Sequence, residues 1–465
     1  MNQHHDAVGS AGAVPAGPSP IAPAERVPAI DVLRGLALGG ILVVNVYYHG
    51  HPYFLDYLTF LKYQGLNPVD HRVDRLVHGI ITTLCQESFY CLFAFLFAFG
   101  FVGIADRCEA AGASARAVTL RRLGVLALVG LAHVVLIWAG DILITYALLG
   151  LALPLLRRLP DRALIAWSAA GLATGSLLLA GALVAASIAG GPGTVAAVPP
   201  SRAVDESADD AAAAGQPREP AADGPAEPSR PPEAARQWDD LMRRWHRHTV
   251  EVYACGGFLR IALHRLVDYA IWTASIAAFQ YPRVLGMYAL GVLAARYRLL
   301  QEPQSHLRFL RRATGWTLAA AVAGCLPALV AVPAEGSDHH PGRALLLLAG
   351  DAVRIPALAL FLVGGVLLAC RSPRTGRWLG WLAPAGRMSL SGYLGQSLVC
   401  SLVFCGYGLG MYGRIGPARG ALLAAAIFAV QLPLCALWLR FFRYGPVEWL
   451  WRMAAYGRAL PMRTA

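Results

Sequence analysis

The sequence predicts an all-α fold: a polytopic transmembrane helical bundle of about ten spans with both termini in the cytoplasm. Three observations carry that expectation. First, 56% of the 465 residues are hydrophobic and only 15% are charged, against about 25% charged in an ordinary soluble domain. The mean hydropathy is +0.49. Second, apolar stretches of spanning length recur at 32–49, 84–105, 119–139, 142–157, 163–189, 267–295, 314–332, 345–370, 389–411 and 420–439. Third, arginine concentrates in every other loop. Arg107, Arg116, Arg121 and Arg122 follow the second stretch, and Arg157, Arg158 and Arg162 follow the fourth. Similar groups follow the sixth, the eighth and the tenth.

This arginine pattern is the positive-inside signature of a bacterial inner-membrane, multi-pass protein. The net charge is +12, and Lys62 is the sole lysine. Basic residues at the ends of apolar runs, with no nucleic-acid-binding motif beside them, exclude nucleic acid as a partner. The bilayer is the partner the composition demands. The nine cysteines form no Cys-x-x-Cys pair, which excludes zinc-ribbon and redox readings, and no metal site is expected.

The elements follow in order. Residues 1–25 are rich in Ala, Pro and Gly and read as a disordered tail. They lack a signal-peptide pattern, so the first apolar run is an uncleaved span. Residues 26–189 hold spans one to five. The fourth stretch is short, hence tilted or partly re-entrant. Residues 190–237 form a disordered Ala/Pro-rich periplasmic linker. In 238–266, Trp238, Leu241, Met242 and Trp245 recur at helical spacing beside Arg243, Arg244 and Arg247. That pattern is an amphipathic helix lying on the membrane face, with a lid over a site as the alternative. Residues 267–440 hold spans six to ten, with either an interfacial helix before the sixth or a break at Pro282. Residues 441–465 form a Trp-anchored cytoplasmic tail in which Glu448 and Arg452, four apart, are placed to pair.

Ionisable groups inside spans are costly and mark candidate sites. Asp31 and Arg34 share a helix face at the start of span one. They either neutralise a helix end or offer an arginine to an anionic phosphate on the cytoplasmic side. Asn45 lies about 21 Å further along the same helix, in the outer half of the membrane. It either glues helices together or donates to a developing oxyanion. His49 and His51 follow at the interface. His133 approaches the same depth from span three. Asp141, in the short turn after it, either caps span four or orients a histidine. His49, His133, Asn45 and Asp141 therefore make a candidate acid–base site. Tyr146 lies one turn beyond Asp141. Arg283, Asp351 and Arg354, beside Pro282 and Pro356, pair structurally or line a polar cavity. Tyr393 and Gln396, in a small-residue span, are candidate cavity residues.

The stretches RVPAIDVLRGLALGGILVVN (Arg26–Asn45), RRLGVLALVGLAHVVLIWAGDILITYALLG (Arg121–Gly150) and GRMSLSGYLGQS with GYGLGMYGRIG and LWLRFFRYGPVEWLWR (Gly386–Arg452) resemble the YeiB-like family of bacterial integral membrane proteins of unknown function. The first span is similar, more distantly, to the transmembrane acetyltransferase of lysosomal heparan-sulfate degradation, through an Asp, an Arg-Gly and a later Val-Asn. That resemblance implies acetyl-CoA used from the cytosol and an acceptor acetylated on the far side. Asn45 takes the Asn position, whereas the active-site histidine position falls on Asp56, with His49 and His51 nearby.

Two functions fit these residues. One is an acyltransferase-like protein that moves an acyl group from cytoplasmic acyl-CoA (acetyl-CoA) to an envelope sugar, glycan or lipid acceptor at the outer face. In it Arg34 meets the donor phosphates, His49 or His133 is the base, Asn45 steadies the oxyanion and Asp141 orients the base. The alternative is a transporter or flippase of a small anionic or lipid-linked substrate, resting on Arg283, Asp351 and Arg354. A non-catalytic scaffold is a third reading, disfavoured by the cost of so many buried polar groups. The oligomeric state leaves no trace in the sequence.

Overall fold

The computed structural model describes residues 26–52, 57–188, 233–330 and 341–464. The N-terminal tail, Asp56 and most of the 190–237 linker lie outside the described residues.

The described chain is helical throughout, with no β-strand. Its helices are α1 (Pro28–Gly50), α2 (Tyr57–Tyr63), α3 (Arg72–Leu84), α4 (Ser88–Ala110), α5 (Ala115–Leu136), α6 (Leu143–Gly150), α7 (Leu153–Leu156), α8 (Asp161–Ile188) and α9 (Glu233–Cys255). They continue with α10 (Phe258–Arg296), α11 (Leu307–Val330), α12 (Pro341–Ala369), α13 (Pro373–Leu379), α14 (Ala383–Arg387), α15 (Ser389–Phe404), α16 (Pro417–Phe441) and α17 (Pro446–Tyr456). Among the described residues, five helical stretches are long and apolar enough to cross a membrane: Pro28–Gly50, Arg72–Ala110, Ala115–Leu136, Leu345–Ala369 and Pro417–Phe441. This is a membrane protein, with five such stretches among the described residues where the sequence suggested about ten. The fourth apolar run accounts for one difference. It folds as α6 and α7, of 8 and 4 residues, and the longer of these extends only about 12 Å. The ninth run gives the 16-residue α15 followed by turns.

Residues 258–296 form one uninterrupted helix, α10, with Pro282 inside it. Neither a separate interfacial helix nor a break at Pro282 divides it. A proline removes one N–H donor and leaves the neighbouring turns intact when packing holds the helix on both sides. α8 and α4 supply that packing. The α8–α10 contact is close because Gly171 and Gly286 face each other: a Cβ on Gly286 would sit 3.0 Å from the Ser168 carbonyl and 3.2 Å from the Leu172 nitrogen. α11 pairs with α12, and α12 also rests on α8 and α4. α1 runs through the centre, flanked by α4, α14, α15 and α16. Its Leu33, Ala37, Leu38 and Ile41 join one core cluster with Cys91, Leu92, Phe95 and Val292.

α9 is amphipathic, and its faces are divided between surroundings. Trp238 and Leu241 are exposed, while His246, Thr249, Val252 and Tyr253 are buried against the protein. Burial lowers the His246 pKa to about 4. Asp239 fastens the helix to α2 by accepting a hydrogen bond from Tyr63 at 2.8 Å.

The pairing of Glu448 with Arg452 suggested by their spacing is replaced by a longer-range lock. Glu448 is 5% exposed. Its Oε1 accepts from the backbone N–H groups of Leu390 at 2.6 Å and Ser391 at 3.0 Å, the otherwise orphaned donors of the first turn of α15. Its Oε2 accepts from the Ser391 hydroxyl, and Ser391 Oγ in turn accepts from the Val447 N–H at 3.0 Å. Each helix thus caps the other. Gly445 has to be glycine here, because a Cβ would occupy the place of the Glu448 carboxylate. Burial pushes the Glu448 carboxyl above the usual range, against the pull of the hydrogen bonds from Ser391. A raised folded pKa means that stability is lost as pH rises through that value. Glu448→Gln keeps an acceptor and removes the charge, so its unfolding midpoint in detergent should stay near that of the natural protein and vary less with pH. Glu448→Ala strands two buried N–H groups and should cost about 2 kcal/mol. An unchanged midpoint in Glu448→Ala would contradict the mutual cap.

Candidate functional site

The candidate site lies at the C-terminal end of α1, where the turns before α4 and α6 meet α10. A cavity of about 90 Å³ opens there. α1 contributes Asn45 and Tyr48, the turn before α4 contributes Gln86 and Glu87, the turn before α6 contributes Trp138, Gly140 and Asp141, and α10 contributes Trp272 and Gln280. The volume holds a few water molecules.

Asp141 performs both roles its position suggested. Its Oδ2 accepts from the Ile144 N–H at 2.7 Å, capping α6. Its Oδ1 lies 3.0 Å from His133 Nδ1. A carboxylate that already accepts from a backbone N–H offers only acceptors, so His133 Nδ1 is the donor and carries the proton. His133 Nε2 points away from the carboxylate. It is buried and has no hydrogen-bond partner. Both side chains are completely shielded from solvent. His133 does not line the cavity itself. It sits directly behind the wall formed by Trp138, Gly140 and Asp141.

Trp138 connects the two histidines. His49 stacks on its indole with ring centroids 3.9 Å apart, and His133 meets the same ring edge-on at 6.2 Å. His49 Nδ1 donates to the Asn45 carbonyl at 2.8 Å. His49 from α1 and His133 from the end of α5 thus flank Trp138, while Asn45 and Asp141 line the same cavity. His51 is turned away and stacks on Tyr47. Tyr393 closes the far side: its ring lies 5.0 Å from His133 and its hydroxyl donates to the Gly140 carbonyl at 3.1 Å.

The other candidates have separate places. Tyr146 is buried and donates to the Tyr90 carbonyl at 2.8 Å, outside the cavity. Gln396 donates to Gln431 at 2.6 Å and links α15 to α16. Arg283 pairs with Glu87 at 3.2 Å beside the cavity. Arg354 pairs with Asp351 at 2.7 Å and also donates to the Thr83 carbonyl, away from the cavity. Asp31 and Arg34 are 3.4 Å apart at the opposite end of α1. Among the described residues, no cluster of three or more His, Cys, Asp or Glu side chains is placed to hold a metal ion.

Two residues of this region escaped the sequence reading. Glu87 has φ 64°, a conformation that non-glycine residues adopt rarely and at a cost. There its carboxylate accepts from Gln280 and Arg283 at 3.2 Å each. The polar Gln86-Glu87-Ser88 interruption at the head of an apolar run was the signal available. Arg265, 1% exposed, donates to the Leu136 carbonyl at 3.0 Å and to Tyr407 at 2.7 Å. Together with Ser401, which donates to the Ile137 carbonyl at 2.6 Å, it ties off the end of α5 next to His133. No local spacing announces that contact.

Residues 294–458 match the family model described as "Protein of unknown function (DUF418)". That region holds Tyr393 and Glu448, whereas Asn45, His133 and Asp141 lie upstream of it. The chain is 31% identical over 442 residues to "Uncharacterized protein YxaH" of Bacillus subtilis (strain 168), covering 93% of this chain and 94% of that protein. It is 28% identical to "Uncharacterized protein YeiB" of Escherichia coli (strain K12), over 94% of this chain and 98% of the relative. It is 24% identical to "Uncharacterized 39.9 kDa protein in amylase 3'region" of Bacillus acidopullulyticus, over 95% and 97%. No solved structure matches it. Similarity along nearly the whole length to YxaH and YeiB, the DUF418 match and the apolar helices lead to one assignment: the chain belongs to the YeiB-like family of membrane proteins.

Proposed function

We propose that this protein is an integral membrane acyltransferase of the bacterial inner membrane, with both termini in the cytoplasm. It moves an acyl group from cytoplasmic acyl-CoA, such as acetyl-CoA, to a hydroxyl or amine of an envelope sugar, glycan or lipid at the outer face. The supporting observation is the buried His133–Asp141 pair, which leaves the imidazole's Nε2 without a partner. An imidazole held in one tautomer by a carboxylate is the arrangement general-base chemistry requires.

In the proposed step Trp138 turns aside and the acceptor enters from the cavity. His133 Nε2 takes the acceptor's proton as its oxygen or nitrogen attacks the thioester carbonyl. The side-chain amide of Asn45, which lines the cavity, donates to the oxyanion. Collapse of the tetrahedral intermediate breaks the carbon–sulfur bond. The imidazolium returns the proton to the departing thiolate, and the products are the acylated acceptor and free coenzyme A. Asp141 holds the imidazole throughout. Arg34, at the other end of α1, meets the donor's phosphates.

The test is release of free thiol from acetyl-CoA by the protein in nanodiscs, with envelope extract as acceptor. His133→Ala should lower the rate by roughly a hundredfold or more. His49→Phe, which keeps a ring stacked on Trp138, should retain most of it. Loss in His49→Phe with retention in His133→Ala would reverse the assignment of the base. No thiol release from any of several acyl-CoA donors by folded protein would retire the acyl-transfer reading. It would favour transport of a small anionic or lipid-linked substrate, seen as flux without covalent change, with Arg283, Asp351 and Arg354 as its residues.

A further inference from the structure

At the N-terminal end of α1 lies a second, larger cavity of about 180 Å³. Its wall contains six arginines, Arg26, Arg34, Arg107, Arg387, Arg443 and Arg452, and a single carboxylate, Asp31. These arginines come from four separate stretches of the chain: the start of α1, the end of α4, the end of α14, and the α16–α17 region. Among the described residues, Arg34 alone of the six has an ion pair, with Asp31 at 3.4 Å. Six guanidinium groups converging on one cavity repel one another, and burial adds to the cost. Burial does lower the pKa values of Arg387 and Arg452. Two polar atoms of the wall, Arg387 Nε and Gln301 Oε1, are buried without a hydrogen-bond partner. The floor on the α4 side is kept open by glycine: a Cβ on Gly100 would lie 3.3 Å from the Arg34 guanidinium, and one on Gly103 3.6 Å from that of Arg107. Arg452 is held in place by stacking on Tyr444, 4.7 Å from the ring centroid.

We propose that this cavity is a binding site for a ligand carrying two or more phosphate groups. Guanidinium forks match phosphate oxygens two at a time. Several phosphates would supply the negative charge that one aspartate leaves missing. A single carboxylate ligand would leave most of the six cations unpaired. The same chemistry is offered by a soluble nucleotide-type carrier and by the headgroup of a diphosphate lipid. If the acyl-transfer reading stands, the site holds the phosphate end of the acyl donor, and that clause alone rests on the reading.

The test uses the full-length protein in phosphatidylcholine nanodiscs. Inorganic pyrophosphate and coenzyme A are titrated calorimetrically, and retention of added cardiolipin is followed by native mass spectrometry. The natural protein should bind at least one of the three. The Arg107→Gln/Arg443→Gln double variant should weaken that binding at least tenfold. Gly103→Leu, which fills the cavity without changing charge, should do the same. Binding of pyrophosphate or coenzyme A identifies a soluble ligand, and binding of cardiolipin alone identifies a lipid. Binding of none of the three, or equal binding by the natural protein and both variants, overturns the proposal. Phosphate binding without any thiol release would keep this site and retire acyl transfer. Thiol release unaffected by either variant would do the reverse.

Discussion

A polar side chain surrounded by hydrocarbon has to find its partner within the protein, because the surrounding medium offers none. In this structure that constraint is met most tightly at Asp141. One carboxylate oxygen caps α6 and the other holds the ring of His133. Fixing the turn and fixing the imidazole are therefore one event. The turn then places Trp138 between His133 and His49 and aims the Gly140 carbonyl at Tyr393. Arg265 and Ser401 complete the arrangement by satisfying the last carbonyls of α5. A network satisfied in this way is rigid. Two imidazole nitrogens beside Trp138 are left unsatisfied, His133 Nε2 and His49 Nε2, and of the two rings it is that of His133 that a carboxylate holds in position.

α1 connects this end of the molecule to the other. Its first turns carry Asp31 and Arg34 into the arginine cavity, with Arg26 just before them, and its last turns carry Asn45 and Tyr48 into the cavity beside Asp141. Between them the helix is apolar and packed against α4 and the α14–α16 region. The two cavities are thus separated by a helix length. The mutual capping of α15 and α17 holds the C-terminal arginines in the same frame, since Arg443 and Arg452 flank Glu448.

Much of this was legible in the sequence, for definable reasons. Apolar length and arginine alternation gave the helical membrane character. The spacing of His133 and Asp141, across a turn containing Gly140, put a histidine and a carboxylate within reach of each other. What depended on distant segments was not legible. Arg107, Arg387 and Arg443 each read as loop charges, and only the packed bundle brings them around one cavity. Glu448 looked like a partner for Arg452 because helical spacing is local, yet the N–H groups at the head of α15, which have no partner within their own helix, are stronger competitors for a carboxylate. Tyr146 and Gln396 were polar groups in apolar runs, and the structure places both in interhelical hydrogen bonds outside the cavity. The sequence allowed a break at Pro282 as one alternative, and α10 runs unbroken through it, because sequence registers the missing donor and not the helices packed on either side.

The most direct test of the account is Asp141→Asn. An asparagine can still accept from the Ile144 N–H with its oxygen, so α6 keeps its cap. Its amide nitrogen then faces His133 Nδ1, which has to become the acceptor, and the proton moves to Nε2. The base is removed while the fold is kept. The account predicts an unchanged unfolding midpoint and thiol release from acetyl-CoA lowered by roughly a hundredfold or more. Release at the natural rate from a folded Asp141→Asn protein would contradict it.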